Sequence, residues 1–144
     1  MTRTTLGVIG VVAAGAVAAC LAWPRLHQVE TGRTPEYPDL QPRSYAAGGE
    51  RVANAVKAVV ARLPRWRLVG AASGVKGTDL QAEHVMFVAG LKEDVTVQVR
   101  RKGGRTEVSV LSRSASVPWD FGQNARNVRA MLDELDREME RPGR

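Results

Sequence analysis

Apolar residues alternate with polar ones over Glu93-Asp94-Val95-Thr96-Val97-Gln98-Val99-Arg100, and again over Glu107-Val108-Ser109-Val110-Leu111-Ser112-Arg113. A period of two marks a strand with one face buried. Gly103-Gly104 between the runs suits a type I′ turn, whose two central residues need positive φ. Placing the glycines there sets the register: Val99 faces Val108, Val97 faces Val110, Arg100 faces Glu107 and Asp94 faces Arg113. One register thus yields two apolar and two opposite-charge pairs, and a slip of one residue loses all four.

Beyond Pro118 the period changes. Phe121, Ala125, Val128, Leu132, Leu135 and Met139 step by three and four, which predicts one apolar stripe on a helix. Asp120 is the expected N-cap and Gln123 completes a capping-box pattern. Asp133 and Arg137 are placed to pair at i,i+4, and Pro142-Gly143 stops the helix. A second stripe, Val52, Val56, Val59, Val60 and Leu63, predicts a helix opened by Gly48-Gly49 and ended by Pro64. Its polar side carries Arg51, Asn54, Lys57 and Arg62. Trp66 to Val69 and Asp79 to Phe87 read as two further strands around a turn at Gly74 to Gly77. The order is helix, four strands, helix. Short connections make this an α/β (α+β) domain over 49–141, a four-stranded antiparallel meander with two helices on one face. The other face, with Thr96, Gln98, Arg100 and Ser109, is left to water or a partner.

Upstream, Leu6 to Trp23 carries no charge and is almost wholly apolar. As a helix it spans roughly 27 Å at 1.5 Å per residue, close to the ~30 Å of a bilayer core. Residues 1–23 therefore read as a signal anchor, a transmembrane helix preceding the domain. The expected topology is single-pass in an inner (plasma) membrane with the domain on the extracytoplasmic side. The alternative is a lipoprotein anchored at Cys20, since Val17-Ala18-Ala19-Cys20 loosely fits a lipobox; a third is simple cleavage at an Ala-rich site. Residues 24–48 read as an extended linker because Pro24, Pro35, Pro38 and Pro42 oppose regular structure, with Tyr37, Leu40 and Tyr45 pinning its second half to the domain.

Charge and composition narrow the function. The net charge is +6. Arg3 is the one charged residue of the first 23, so 20 Lys and Arg against 15 Asp and Glu fall in the remainder. That suits a polyanion or an anionic lipid surface, but aromatics make up 5% of the chain, which argues against base-stacking and a nucleic-acid partner. One cysteine excludes an internal disulfide and a cysteine metal cluster. No Gly-rich phosphate loop, His-x-x-x-His pair or nucleophile elbow is present, so no cofactor and no metal are expected. His84 and His27 stand alone, and His84 reads as a hydrogen-bonded edge or core residue. Glu93 and Asp94, adjacent on a strand, point to opposite faces and form no carboxylate dyad. Ser112 and Ser114 have no base near them in sequence. Two groups of residues remain as candidate binding sites. Arg113, Asp120, Asn124, Arg126 and Arg129 converge where a strand end meets a helix start, a setting for an anion. Arg100, Arg101, Lys102 and Arg105 gather at the hairpin tip, facing anionic headgroups or another acidic surface. Asp94 with Arg113 is the expected structural pair.

Several of these stretches also carry a resemblance. Gly-Leu-Lys-Glu-Asp-Val-Thr-Val at 90–97, Ser-Arg-Ser at 112–114 and Asp-Phe-Gly-Gln-Asn-Ala-Arg at 120–126, with Tyr-Pro-Asp-Leu at 37–40 and Leu-Pro-Arg-Trp at 63–66, resemble the domain of unknown function 1499 family. The resemblance runs over about 34–139. The chain departs from the family pattern in having Leu91 for Phe, Glu93 for Asp and Val128 for Ile. The family implies fold and domain limits and no activity. The expectation is a membrane-tethered, non-enzymatic binding or scaffolding module of the cell envelope, held by lipid through residues 6–23 and meeting an envelope protein. The alternative is an enzyme or small anionic-ligand binder using the Arg113/Asp120/Asn124/Arg126 corner.

Overall fold

The computed structural model describes residues 24–87 and 90–141. The expected anchor at 1–23, with Cys20, lies outside the described residues, and among them no helix is long and apolar enough to cross a membrane.

The fold is α+β. Eight elements follow in order: β1 Gln28–Glu30, β2 Arg43–Tyr45, α1 Gly49–Arg62, β3 Trp66–Gly74, β4 Gly77–Val85, β5 Lys92–Lys102, β6 Arg105–Ser114 and α2 Gln123–Glu140. The sheet runs β1-β6-β5-β4-β3, with β2 also paired to β6, and every pairing is antiparallel. The four-strand meander is present, but the sheet has six strands. The two extra ones come from the stretch read as a linker. Its prolines bracket short runs of extended chain: Gln28 to Glu30 pairs with Leu111 to Arg113, and Arg43 to Tyr45 pairs with Thr106 to Val108. Backbone already extended by proline needs only a free sheet edge to become a strand, and β6 offers one. Leu40 is buried, and Tyr37 and Tyr45 pack on the core as expected.

The central hairpin has the expected register in all four pairs, with Gly103 and Gly104 at φ 56° and 81°. Its charges partner differently. Arg100 reaches sideways to Asp79 on β4, and Glu107 takes Lys102 instead. Asp94 faces Arg113, both exposed. At the β3–β4 turn Gly77 is required by contact: a Cβ there would lie 2.1 Å from the Val99 carbonyl oxygen.

Both helices lie on one face of the sheet. α1 buries Val52, Val56, Val59 and Val60, and α2 buries Ala125, Val128, Met131, Leu132 and Leu135. They close over Leu80, Val95, Val97, Val99, Val108 and Val110. Each fully buried Val or Leu contributes about 1.5–3 kcal/mol. Four expectations for α2 are corrected. The N-cap is Gly122 in the left-handed region, not Asp120, and Phe121, at φ 52° and exposed, lies outside the apolar stripe. Gln123 bonds Asn127 rather than reaching back to form a capping box. Arg137 pairs with Glu134 one turn back, not with Asp133. Asp120 still caps, from two residues earlier: its carboxylate accepts the Gly122 and Asn124 amide N–H groups at 2.9 and 2.7 Å.

Candidate functional site

The sheet's inner face changes character along its length. Toward the hairpin tip the inward positions are valine and leucine. At the other end the rows read Trp66, His84, Glu93, Ser114 and then Leu68, Ala82, Val95, Ser112. The first turn of α2 lies over these rows and brings Asn124 and Asn127 down onto them. The outcome is a buried polar cluster inside an otherwise apolar core.

Glu93 is its centre and is 0% exposed. Its Oε2 accepts from Asn127 Nδ2 at 2.6 Å and from His84 Nδ1 at 2.9 Å, and Ser114 Oγ stands 3.5 Å from Oε1. Because the carboxylate accepts, the imidazole proton belongs on Nδ1. Asn127 also donates to Ser112 Oγ at 3.2 Å and accepts from Gln123 Nε2 at 2.9 Å. Ser112 donates to Asn124 Oδ1 at 2.7 Å, and Asn124 Nδ2 donates to Ser114 Oγ at 3.0 Å and to the His27 carbonyl at 3.1 Å. Trp66 covers His84, with ring centroids 5.7 Å apart. The cluster ties β4, β5, β6 and α2 to the residue just before β1.

The sequence of bonds decides what the cluster can do. It runs imidazole, carboxylate, carboxamide, hydroxyl. The hydroxyls border a carboxylate or a carboxamide, whereas the serine–histidine arrangement of nucleophilic catalysis places the imidazole itself beside the hydroxyl. A buried carboxyl group is tolerated when it is hydrogen-bonded, and this one is bonded to His84 and Asn127. The cluster thus has the make-up of a strut that fixes α2 on the sheet.

The residues expected at the corner are divided by the fold. Asp120 and Asn124 are buried, one capping α2 and the other within the cluster. Arg113 is exposed on the opposite side of β6 from Ser112 and Ser114. Arg126 folds back onto Gln123 and the Phe121 carbonyl, and Arg129 pairs with Asp39 at 2.6 Å. The Arg129 hydrogen bond holds the Asp39 carboxyl below its usual range, while burial, and then the charge of Asp120, push the Tyr37 phenol up. At the hairpin tip Arg101 reaches Thr106 and Arg105 reaches Ser44, so all four cations have contacts. Among the described residues no three His, Cys, Asp or Glu side chains gather as metal ligands.

Glu93, His84, Ser112, Ser114 and Asn127 were not singled out as site residues from the sequence. The signal was in the register. Once Asp94 faces Arg113, Glu93 must face Ser114 on the inner side, and an inward glutamate demands partners.

Over residues 16–135 the chain matches the family described as Protein of unknown function (DUF1499), and it belongs to that family. No curated protein matches it. Solved structures with partial likeness include CalU16 from Micromonospora echinospora, at TM-score 0.43 and 14% identity over 78% of this chain and 85% of that one. TTHA0849 from Thermus thermophilus follows at 0.38 and 16%, over 78% and 96%. Ara h 8.0201 follows at 0.36 and 12%, over 79% and 95%. Likeness at these scores carries nothing about function.

Proposed function

We propose that this DUF1499 domain is a membrane-tethered binding module of the cell envelope that takes an extended segment of a partner protein along β3. One observation carries the reading: β3 is an open edge. It is the last strand of the sheet beyond β4, nine residues long, and exposed except at Trp66 and Gly70. Leu68 and Ala71 lie across from the buried Ala82 and Leu80, so they sit on the helix side, yet both are exposed. An open groove of about 460 Å³ lies at the Gly74 end of β3, lined in part by Ala53, Lys57, Ser73, Gly74 and Arg101. A strand added to β3 would pair its free N–H and C=O groups, and its residues beside Ser73 and Gly74 would reach that groove. Lys57 and Arg101 outnumber Glu50 there, which favours a segment carrying a carboxylate.

The tether rests on the uncharged run at residues 6–23, which leads into the folded domain at Pro24. The non-enzymatic reading rests on the closed hydrogen bonding around Glu93. The test is a pull-down with the intact chain against Leu68→Lys/Val69→Lys. Lysine on an edge opposes strand addition, and at exposed positions it costs the fold little, about 0.5 kcal/mol each. The partner recovered with the parent should be lost with the variant. Equal recovery by both would remove β3 from the binding surface.

A further inference from the structure

The register puts five chain segments at the same end of the sheet. β3 begins there, β4 ends, β5 begins and β6 ends, and His27 accepts the Ser114 N–H at 2.8 Å just before β1. Arg25 and Leu26, which follow the uncharged run 6–23 closely in sequence, lie at this end. The intervening chain is short: Leu26 already accepts the Asp120 N–H at 3.3 Å. Residues 24–48, with their two strands, provide no free spacer.

This end also carries three aromatic rings, two of them beside an arginine. Phe87, just past β4, is 84% exposed with Arg65 5.6 Å from its ring centroid. Phe121 is 45% exposed and stacks on Trp119 at 4.3 Å, and Arg25 lies 5.7 Å from the Trp119 ring. The Trp119 indole N–H is buried with no acceptor among the described residues, and an unmet donor costs about 1–3 kcal/mol. Exposed aromatic rings beside long-stemmed cations are the make-up of a membrane–water interface. There the rings sit at headgroup level and the guanidinium groups meet phosphate.

We propose that this end of the domain, through Phe87, Trp119, Phe121, Arg25 and Arg65, rests on the phospholipid surface into which residues 6–23 insert. This rests on the tether reading. Arg25 and Leu26, close to the tether in sequence, lie with the aromatics, so the anchor brings this surface to the bilayer. The basic hairpin tip stands at the opposite end of β5, about 33 Å away for an eleven-residue strand at roughly 3.3 Å per residue. Docking at the aromatic end therefore holds Arg101, Lys102 and Arg105 away from the tethering membrane and leaves the β3 groove open to a partner.

The three tryptophans separate the two claims in the full chain. The protein is placed in phosphatidylcholine–phosphatidylglycerol vesicles containing lipids brominated near the headgroup. Trp23→Phe, Trp66→Phe and Trp119→Phe are compared with the parent, so each difference isolates one residue's emission. The Trp23 difference reports insertion of the tether and the Trp119 difference reports docking. The expected result is about twofold quenching of the Trp23 and Trp119 components, with less for Trp66, whose ring is half-buried against His84. Quenched Trp23 with unquenched Trp119 keeps the tether and overturns the docked end. Quenching of neither overturns both, and quenching of Trp119 alone keeps docking and removes the tether. A Trp119 untouched by the brominated lipid whose shielding from aqueous acrylamide grows with protein concentration means a second copy covers the patch, which also overturns the proposal.

Discussion

Replacing Glu93 with alanine and with glutamine separates a structural cluster from a reactive one. Alanine removes the common acceptor of His84 Nδ1 and Asn127 Nδ2, both bonded to Oε2. Two buried donors are then left unpaired, at about 1–3 kcal/mol each, and a cavity opens beneath α2. The expected loss is about 3–5 kcal/mol, a large share of the roughly 5–15 kcal/mol that holds a domain together. Glutamine has the same shape. Its one oxygen can take the Oε2 position and keep both donors, and its NH₂ then faces Ser114 Oγ. What is lost is the charge assistance of two bonds, about 1 kcal/mol each, offset by no longer burying a carboxylate. The net expected cost is below about 1.5 kcal/mol. Urea unfolding of the full chain in detergent measures both, provided the dependence on urea is unchanged. An alanine variant within about 1 kcal/mol of the parent would refute the strut. A glutamine variant that folds like the parent but fails to complement a deletion strain would make Glu93 an acid or base.

Three further outcomes follow from the same structure. Asp120→Ala loses two amide partners and should cost about 2 kcal/mol in a denaturation experiment; Asp120→Asn should recover about half, because an amide offers one acceptor oxygen where the carboxylate offers two. Gly103→Val with Gly104→Val forces branched residues to φ 56° and 81°, at about 1–2 kcal/mol each, and a melting temperature equal to the parent's would contradict the turn. Burial, then the hydrogen bond to Asp136, raise the Tyr45 phenol above its ordinary value of 10.0. A group whose folded pKa is raised contributes stability in full below the unfolded value and loses it as pH rises above it. Stability should therefore fall above about pH 10, and Tyr45→Phe should flatten that fall in a pH series of melts.

Local patterns made much of this fold readable. The hairpin register followed from period-two alternation and a Gly-Gly turn, because a single register satisfied every pair. Both helices followed from their stripes. β1 and β2 were hidden because three-residue strands have no period of their own; they exist through β6, a tertiary partner. The α2 start was misplaced by two residues because Asp120 caps from outside the helix, across a left-handed Phe121-Gly122 step that no propensity marks. The polar cluster was half legible. Glu93, Ser112 and Ser114 were fixed on the inner side by the register, and Asn124 was noticed at the helix start. Their convergence with His84 and Asn127 depended on where α2 crosses the sheet, which the sequence pattern alone does not set.

The central claim is that β3 is the surface on which a partner lies, and site-specific photocrosslinking in living cells tests it most directly. A benzophenone amino acid is placed at Val69, 53% exposed at the irregular step in the β3–β4 pairing, and separately at Gln98, exposed on the outward polar face of β5. The full chain is used in both cases. The expected result is a discrete protein adduct from Val69, abolished by Leu68→Lys, with none from Gln98. An adduct from Gln98 and none from Val69 would move the binding surface to the polar face and contradict the account.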